Sequence, residues 1–244
     1  MIKTFIFFDL ETTGLITKNY MPKITEMSLI AVSRTAICDT TNILPRILQK
    51  LVLPIYPNVP IPKNIQKLTG LSNENLEEFP CFNSDIYNLV VNFINRLAAP
   101  TCFIAYNGIN YDYPIFLSEF KNIEKNFSEN VLSIDMMHLV KEFFSCKQNL
   151  IQEMNIVQPI ASSPNCTDDR RGSNVRRQLD FTNSRPINFK LGSIYKHMFG
   201  NNPEDAHSAE GDCLTMIRCA IKLRNFFLEW TDCNAVPLTN YTSK

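Results

Sequence analysis

The chain lacks several features that would assign it at once to a common class. Its eight cysteines are scattered without a C-x-x-C pair, which disfavours a structural zinc site and indicates free thiols in a reducing compartment. No window approaches the run of about eighteen apolar residues that a membrane span needs. The N-terminal "MIKTFIFFDLE" has no small-residue cleavage site, so no signal peptide is expected. These observations predict a cytoplasmic or nuclear protein without a membrane anchor.

The chain also lacks net charge, because 24 Lys and Arg balance 24 Asp and Glu among 244 residues. A zero sum does not exclude nucleic-acid binding, since binding depends on where the charges lie. Hydrophobic residues make up 45%, which is ordinary for a globular protein with a core. No internal repeat or low-complexity run interrupts the sequence.

Strand patterns alternate with helical ones. Apolar and β-branched residues predict one strand over 2–10, a second and a third over 24–37, and further strands over 48–55 and 101–108. Helical spacing covers 83–98, 112–122, 189–199 and 208–230, and the segment 131–144 predicts a strand leading into a helix. Gly70 and Gly200 are expected to end helices, and Ser208 to cap one. The pattern predicts an α/β fold with a mixed central sheet flanked by helices.

The chain is expected to form one domain over 1–232, followed by a loose tail over 233–244. Within the domain, residues of about 158–187 are polar and turn-rich without a period, which predicts an exposed insertion. Seven basic residues lie between 170 and 196 against the single acid Asp180. They form either a solvated flexible loop or an arm that grips phosphates. The four candidates for backbone contacts are Arg170, Arg171, Arg176 and Arg177.

Two carboxylates follow a buried strand in "FIFFDLETTGL". Asp9 and Glu11 are two residues apart, so a strand places both on one face. Buried charges are costly unless a partner neutralises them. A solvated pair at a strand end would be the simplest alternative, and two further stretches argue against it.

The other two stretches each place a carboxylate at the start of a helix. In "AYNGINYDYPIF", Asp112 opens a helix after a turn at Gly108, where a helix cap would be the ordinary reading. In "DAHSAEGDC", His207 precedes a helix whose first turn contains Asp212, where interaction with the helix dipole is the ordinary reading. Together the four carboxylates suit a pair of Mg²⁺ ions, which prefer oxygen ligands. A neutral His207 could take a proton from water near pH 7.

Three segments resemble the exonuclease motifs of the DnaQ-like (DEDDh) superfamily: "FFDLETTGL", "AYNGINYDYP" and "HSAEGDCLTM". The histidine five residues before the last Asp fits the histidine branch, because the sister branch has Tyr where this chain has Ser208. "PKITEMSLIAVSR", "IQKLTGLSNENLE" and "LGSIYKHMFGNNPEDAHSAEGD" resemble the three-prime repair (TREX) exonucleases. The resemblance covers residues 5 to about 230. It implies a ribonuclease-H-like fold.

The resemblance also implies roles for individual residues. Asp9, Glu11 and Asp212 would hold one of two Mg²⁺ ions, for which Mn²⁺ is a plausible substitute. Asp9, with Asp112 acting through water, would hold the other ion. His207 would be the general base.

A second set of residues would contact the substrate. Glu11, Thr12 and Leu15 would line the 3′-terminal nucleotide, and Tyr111 would lie beside the scissile phosphate. Core packing is an equal alternative for Leu15 and Tyr111. Asn107 is expected to organise the turn.

The resemblance implies a 3′→5′ exodeoxyribonuclease that degrades single-stranded or frayed DNA and releases nucleoside 5′-monophosphates. A 3′→5′ exoribonuclease, a catalytically silent nucleic-acid-binding protein and a small-molecule phosphatase remain alternatives. The segment "MSLIAVSR" resembles the edge strand through which the family forms homodimers. Asn110 stands where some relatives have a basic residue, so the resemblance implies nothing about duplex handling at this position.

Overall fold

The computed structural model describes residues 1–42, 44–156 and 186–241, with the side chains of 147–156 excepted. The insertion expected over about 158–187 lies almost wholly outside the described residues, and so do Arg170, Arg171, Arg176 and Arg177.

A mixed sheet lies at the centre of the described structure. Its strands are β1 (Thr4–Thr12), β2 (Ile24–Ser33), β3 (Ile47–Pro54), β4 (Thr101–Ala105), β5 (Leu132–Asp135) and β6 (Val236–Pro237), in the spatial order β3-β2-β1-β4-β5-β6. β4 is parallel to β1 and to β5, and the other pairs are antiparallel. The predicted α/β fold with a mixed central sheet is confirmed.

Helices connect the strands and cover the sheet. They are α1 (Arg34–Asp39), α2 (Lys63–Thr69), α3 (Asn73–Leu76), α4 (Ser84–Asn95), α5 (Asp112–Asn122), α6 (Met136–Ile156), α7 (Leu191–Phe199), α8 (Ala209–Lys222) and α9 (Arg224–Asn234). Gly70 and Gly200 end α2 and α7 in the left-handed conformation, as their positions predicted. No helix of the described residues is long and apolar enough to cross a membrane.

The core has two parts because side chains alternate along β1. Phe5 and Phe7 belong to one buried cluster, which includes residues of α6, α7, α8 and α9. Ile6 and Phe8 belong to a second cluster with residues of α4 and α5. Successive strand residues point to opposite faces, so the central strand is buried on both.

Two predicted elements have different boundaries in the structure. The segment 24–37 forms one strand and then α1, whose first turn is capped by Ser33 through a 3.1 Å bond from the Ala36 N–H. The long helix expected over 208–230 is two helices, because the buried Leu223 leaves helical geometry between α8 and α9.

The C-terminal segment is more ordered than expected. Instead of a loose tail after residue 232, α9 continues to Asn234 and β6 then pairs with β5. Leu238 is fully buried and donates its N–H to the Val131 carbonyl at 2.9 Å. The prediction was wrong over 233–241 because a two-residue strand has no periodicity to detect.

The segment expected to form a sheet edge also lies elsewhere. "MSLIAVS" belongs to β2, which pairs with β1 on one side and β3 on the other. Among the described strands, β3 and β6 are the outer ones.

Candidate active site

The acidic residues meet where β1 ends. Asp9 and Glu11 lie near the end of this central strand, opposite Ser28 and Glu26 of β2. The pairing register shifts between Glu11 and Thr12, and such irregularities bend a strand and re-aim its side chains. The parallel strand β4 lies beside β1. The C-terminal end of β4 leads through a turn to Asp112, at the first position of α5.

The fourth carboxylate comes from a helix that packs on β1 and β2. Asp212 lies in the first turn of α8, and the Ser208 hydroxyl caps that turn by accepting the Gly211 N–H at 3.1 Å. Ligand oxygens of Asp9, Glu11 and Asp212 all lie within 4.8 Å of one another. Residues distant in the sequence thus form one acidic cluster.

Asp112 and His207 complete the walls of the same cavity, which has a volume of about 250 Å³. Asp112 is buried and lies outside the tight group of three carboxylates. His207 is exposed and has a positive φ of 69°. All five residues expected to carry the chemistry therefore line one cavity.

Burial and mutual repulsion raise the pKa of the carboxyl groups. Burial raises the pKa of Asp9 most, followed by the charges of Asp112 and Asp212. Burial and then the Asp212 charge raise the pKa of Glu11 to about 7. Burial raises the pKa of Asp112 to about 8. Crowded oxygen ligands of this kind fit a divalent cation, which would neutralise them.

Asp212 and His207 interact directly. Burial raises the pKa of Asp212, while the charge and the backbone amide of His207 lower it in part. The imidazole-bearing residue and the carboxylate are thus adjacent at the rim of the cavity.

Two of the substrate candidates, Thr12 at the end of β1 and Tyr111 just before α5, are joined through Gly14. The hydroxyls of Thr12 and Tyr111 contact each other and both donate to the Gly14 carbonyl, at 2.8 and 2.7 Å. Leu15 lines the cavity with 73% of its surface exposed, so core packing is excluded for this residue. Tyr111 is half-buried and also packs on the cluster beneath it.

Several residues of the site went unnoticed in the sequence. One wall of the cavity is formed by α2, through Ile65, Leu68 and Thr69. A helix ending at Gly70 was expected here, yet nothing local indicated which cavity it would face.

The sequence also gave no indication of Glu26 and Asp135, because each accepts hydrogen bonds from backbone N–H groups far along the chain. Glu26 accepts the N–H of Ala209 at 2.8 Å and so binds the start of α8. Asp135 accepts the N–H of Asn107 at 2.9 Å and that of Ile109 at 3.3 Å, which holds the turn before α5. Asn107 has a φ of 62° and takes the turn role expected of it.

The family model for exonucleases matches residues 6–162. The chain belongs to the exonuclease family. It is 29% identical over 249 residues to three-prime repair exonuclease 1 of Bos taurus, covering 98% of this chain and 69% of that protein. The resemblance to three-prime repair exonucleases is thereby confirmed.

Solved structures support the fold. The nuclease domain of 3′hExo, a DEDDh family member bound to rAMP, superimposes with a TM-score of 0.62 at 10% identity, covering 92% of each chain. Exonuclease I of E. coli in complex with a dT13 oligonucleotide gives 0.58 at 15% identity, covering 95% of this exonuclease but only 43% of that chain. The ribonuclease-H-like fold is confirmed.

Proposed function

We propose that this 3′→5′ exonuclease degrades single-stranded or frayed DNA ends by hydrolysis and releases nucleoside 5′-monophosphates. The observation that carries the proposal is the cluster of Asp9, Glu11 and Asp212, whose oxygens lie within 4.8 Å beside His207. An acidic group of this kind, next to a histidine in an open cavity, suits metal-assisted hydrolysis of a phosphodiester.

Two Mg²⁺ ions are the proposed cofactors, with Mn²⁺ as a substitute. Asp9, Glu11 and Asp212 would hold one ion, and Asp9 with Asp112 the other. When bound, the ions supply charge that stabilises the attacking and the leaving oxygen of the phosphodiester.

The side chains around the cluster have separate proposed roles. His207 takes a proton from the attacking water, a role that suits an exposed imidazole beside the acidic cluster. The terminal nucleotide lies against Glu11, Thr12 and Leu15, and the exposed leucine offers an apolar surface to a base. Tyr111, whose hydroxyl donates a hydrogen bond to the Gly14 carbonyl, lies at the scissile phosphate.

RNA is the second candidate substrate, because the 3′hExo structure contains rAMP. The two substrates differ at the 2′-hydroxyl, the group by which proteins distinguish RNA from DNA. A catalytically silent binding protein is less well supported, since all five candidate residues line one cavity.

Matched DNA and RNA oligonucleotides of one sequence, labelled at the 5′ end, test the proposal. With Mg²⁺ we expect stepwise shortening of single-stranded DNA from its 3′ end, faster than that of RNA, and none with chelator. Faster RNA digestion would favour the alternative substrate. Binding without cleavage in Mg²⁺ would favour the silent protein.

We further propose that the chain forms one catalytic domain, which extends past residue 232 through β6, and that its insertion, about 158–187, grips the DNA backbone. The support comes from the sequence, since Arg170, Arg171, Arg176 and Arg177 lie outside the described residues. Replacing all four by Ala should weaken DNA binding and flatten its dependence on salt, because each phosphate contact releases counterions. Fluorescence anisotropy over a salt series measures the slope, and an unchanged slope contradicts the role.

A homodimer and a location in the cytoplasm or nucleus complete the proposal. The outer strand β3 leaves an edge available for pairing with a second copy. Light scattering should give twice the 28.0 kDa of the chain, and a monomeric mass would contradict the dimer. The scattered cysteines support a reducing compartment.

A further inference from the structure

The turn that presents His207 rests directly on a glycine of α8. A Cβ built on Gly211 would overlap the Asp205 carbonyl oxygen and lie 2.8 Å from the Asp205 carbonyl carbon. It would also lie 2.9 Å from the Ser208 Oγ. Side-chain carbons do not approach other atoms this closely, so any larger residue at 211 must displace the turn. Space is the reason for glycine here, because the φ of Gly211 is not positive.

Hydrogen bonds hold the turn against that glycine. The Asp205 carbonyl accepts the Ser208 hydroxyl at 3.0 Å and the Ser208 N–H at 3.3 Å. The same hydroxyl accepts the Gly211 N–H at 3.1 Å. Residues 205–208 and the first turn of α8 therefore form one closed unit, which we call the histidine clamp.

His207 lies inside the histidine clamp in a conformation that needs support. Its φ is 69° and that of Asp205 is 52°, both in the left-handed region that residues other than glycine seldom adopt. Such conformations persist when surrounding contacts hold them, and they concentrate at functional sites. The contacts here are those of Ser208 and Gly211.

The closest overlaps of the added Cβ are with the turn and not with the sheet. The three atoms nearest to the added Cβ all belong to Asp205 and Ser208, and none to a strand. Gly192 of α7 provides a contrast, because the atom nearest to its added Cβ is Pro203 Cγ at an ordinary 3.8 Å.

We propose that Gly211 is a positioning residue for His207. By having no side chain, it lets the Asp205 carbonyl lie on the first turn of α8, and the closed histidine clamp then directs the imidazole towards the acidic cavity. This inference rests on the proposed role of His207 as general base.

The test compares Gly211→Ala, His207→Ala and the double variant, with Gly192→Ala as the matched control. Displacing a catalytic group by about 1 Å can cost about 10²-fold, so Gly211→Ala should lower kcat roughly 10- to 100-fold. KM for the oligonucleotide and the affinity for Mn²⁺, measured by calorimetry, should stay within about threefold, since a displaced imidazole leaves the carboxylates in place. Gly192→Ala should match the wild type.

The double variant separates positioning from general damage. Loss of His207 should itself cost about 10²–10⁴-fold. If Gly211 acts only through His207, adding Gly211→Ala to His207→Ala should lower kcat no further. The inference is overturned if the kcat loss of the double variant equals the product of the two single-variant losses. A wild-type kcat for Gly211→Ala also overturns it. A wild-type kcat for His207→Ala instead overturns the proposed general base, which is a distinguishable result.

A second variant covers the case in which Gly211→Ala does not fold. Ser208→Ala retains the glycine and removes the hydroxyl that joins Asp205 to α8. It should lower kcat less than Gly211→Ala and, like it, have no effect once His207 is alanine. Circular dichroism confirms folding of each variant, and a wild-type kcat for a folded Ser208→Ala contradicts the histidine clamp.

Discussion

Asp9 is surrounded by other carboxylates, and each of them makes its ionisation harder. After burial, the charges of Asp112, Asp212, Glu11 and Glu26 raise its pKa in turn. An arrangement of this kind costs stability in the absence of a cation and favours binding when one is present. The same residues therefore oppose folding and support the proposed catalysis.

Replacing Asp212 by Asn tests both effects at a single residue. The change removes a ligand charge at nearly constant volume, so turnover should fall to background. Because one repulsive charge is lost, the metal-free variant should melt at or above the temperature of the wild type at pH 8. Gel-based digestion and thermal melting measure the two results.

Asp85→Asn is the control for that substitution. Asp85 also lies in the first turn of a helix, α4, but it is exposed and away from the cluster. It should have wild-type activity. An Asp212→Asn enzyme that digests DNA at the wild-type rate would reject the assignment of this carboxylate.

Strands and helices bring the acidic cluster together, and the attachment of α8 to the sheet brings Asp212 to the carboxylates of β1. This helix packs on β1 and β2, and Glu26 of β2 accepts the N–H of its first residue, Ala209. A carboxylate is favourable at a helix N-terminus, where backbone N–H groups lack partners. Together with the Ser208 cap, Glu26 therefore fixes the first turn of α8 on β2, and this turn contains Asp212.

Glu26→Ala should weaken metal binding without removing a proposed ligand. Loss of residues that orient metal ligands typically costs about 10- to 100-fold in affinity. Glu26→Gln retains an acceptor for Ala209 and should lose less. Mn²⁺ affinity is measured by calorimetry. Glu210→Gln is the control, because Glu210 lies beside Ala209 but pairs with Lys50 at the surface. Wild-type affinity in Glu26→Ala would refute the positioning role.

At the scale of the whole molecule, two hydrophobic clusters on opposite faces of the sheet stabilise a site that is itself destabilising. The pKa of Glu11 rises from 4.5 to about 7 on folding, and that of Asp112 from 3.8 to about 8. At a pH between the unfolded and the folded pKa of each group, the folded metal-free protein thus binds more protons than the unfolded chain. Stability must then fall as pH rises through this window.

The metal-free protein should accordingly melt at progressively lower temperature as pH rises from 4.5 to about 8. Saturating Mg²⁺ should raise the melting temperature most at the alkaline end. There the carboxylates are ionised, so protons no longer compete with the metal for them. Melting curves with chelator and with Mg²⁺ measure both slopes. With chelator, equal melting temperatures at pH 4.5 and at about pH 8 would contradict repulsion between the carboxylates.

Local signals predicted much of the fold and the site. Gly70, Gly200 and Ser208 marked helix ends because each supplies a conformation or an acceptor that a helix terminus needs. The spacing of Asp9 and Glu11 placed both on one face of a strand. By contrast, α1 and the break at Leu223 were missed, because β-branched residues and helical spacing continue across both boundaries.

By itself, the sequence determined which residue types stand at which strand and helix ends, since caps, turns and periodicity are properties of neighbouring residues. Only the tertiary structure decided that β2 is internal, that β6 pairs with β5, and that Glu26 reaches Ala209 across 183 positions. It likewise decided that Gly211 supports the His207 turn. Such contacts depend on how whole elements pack, and local sequence does not encode the distance between residues of different elements.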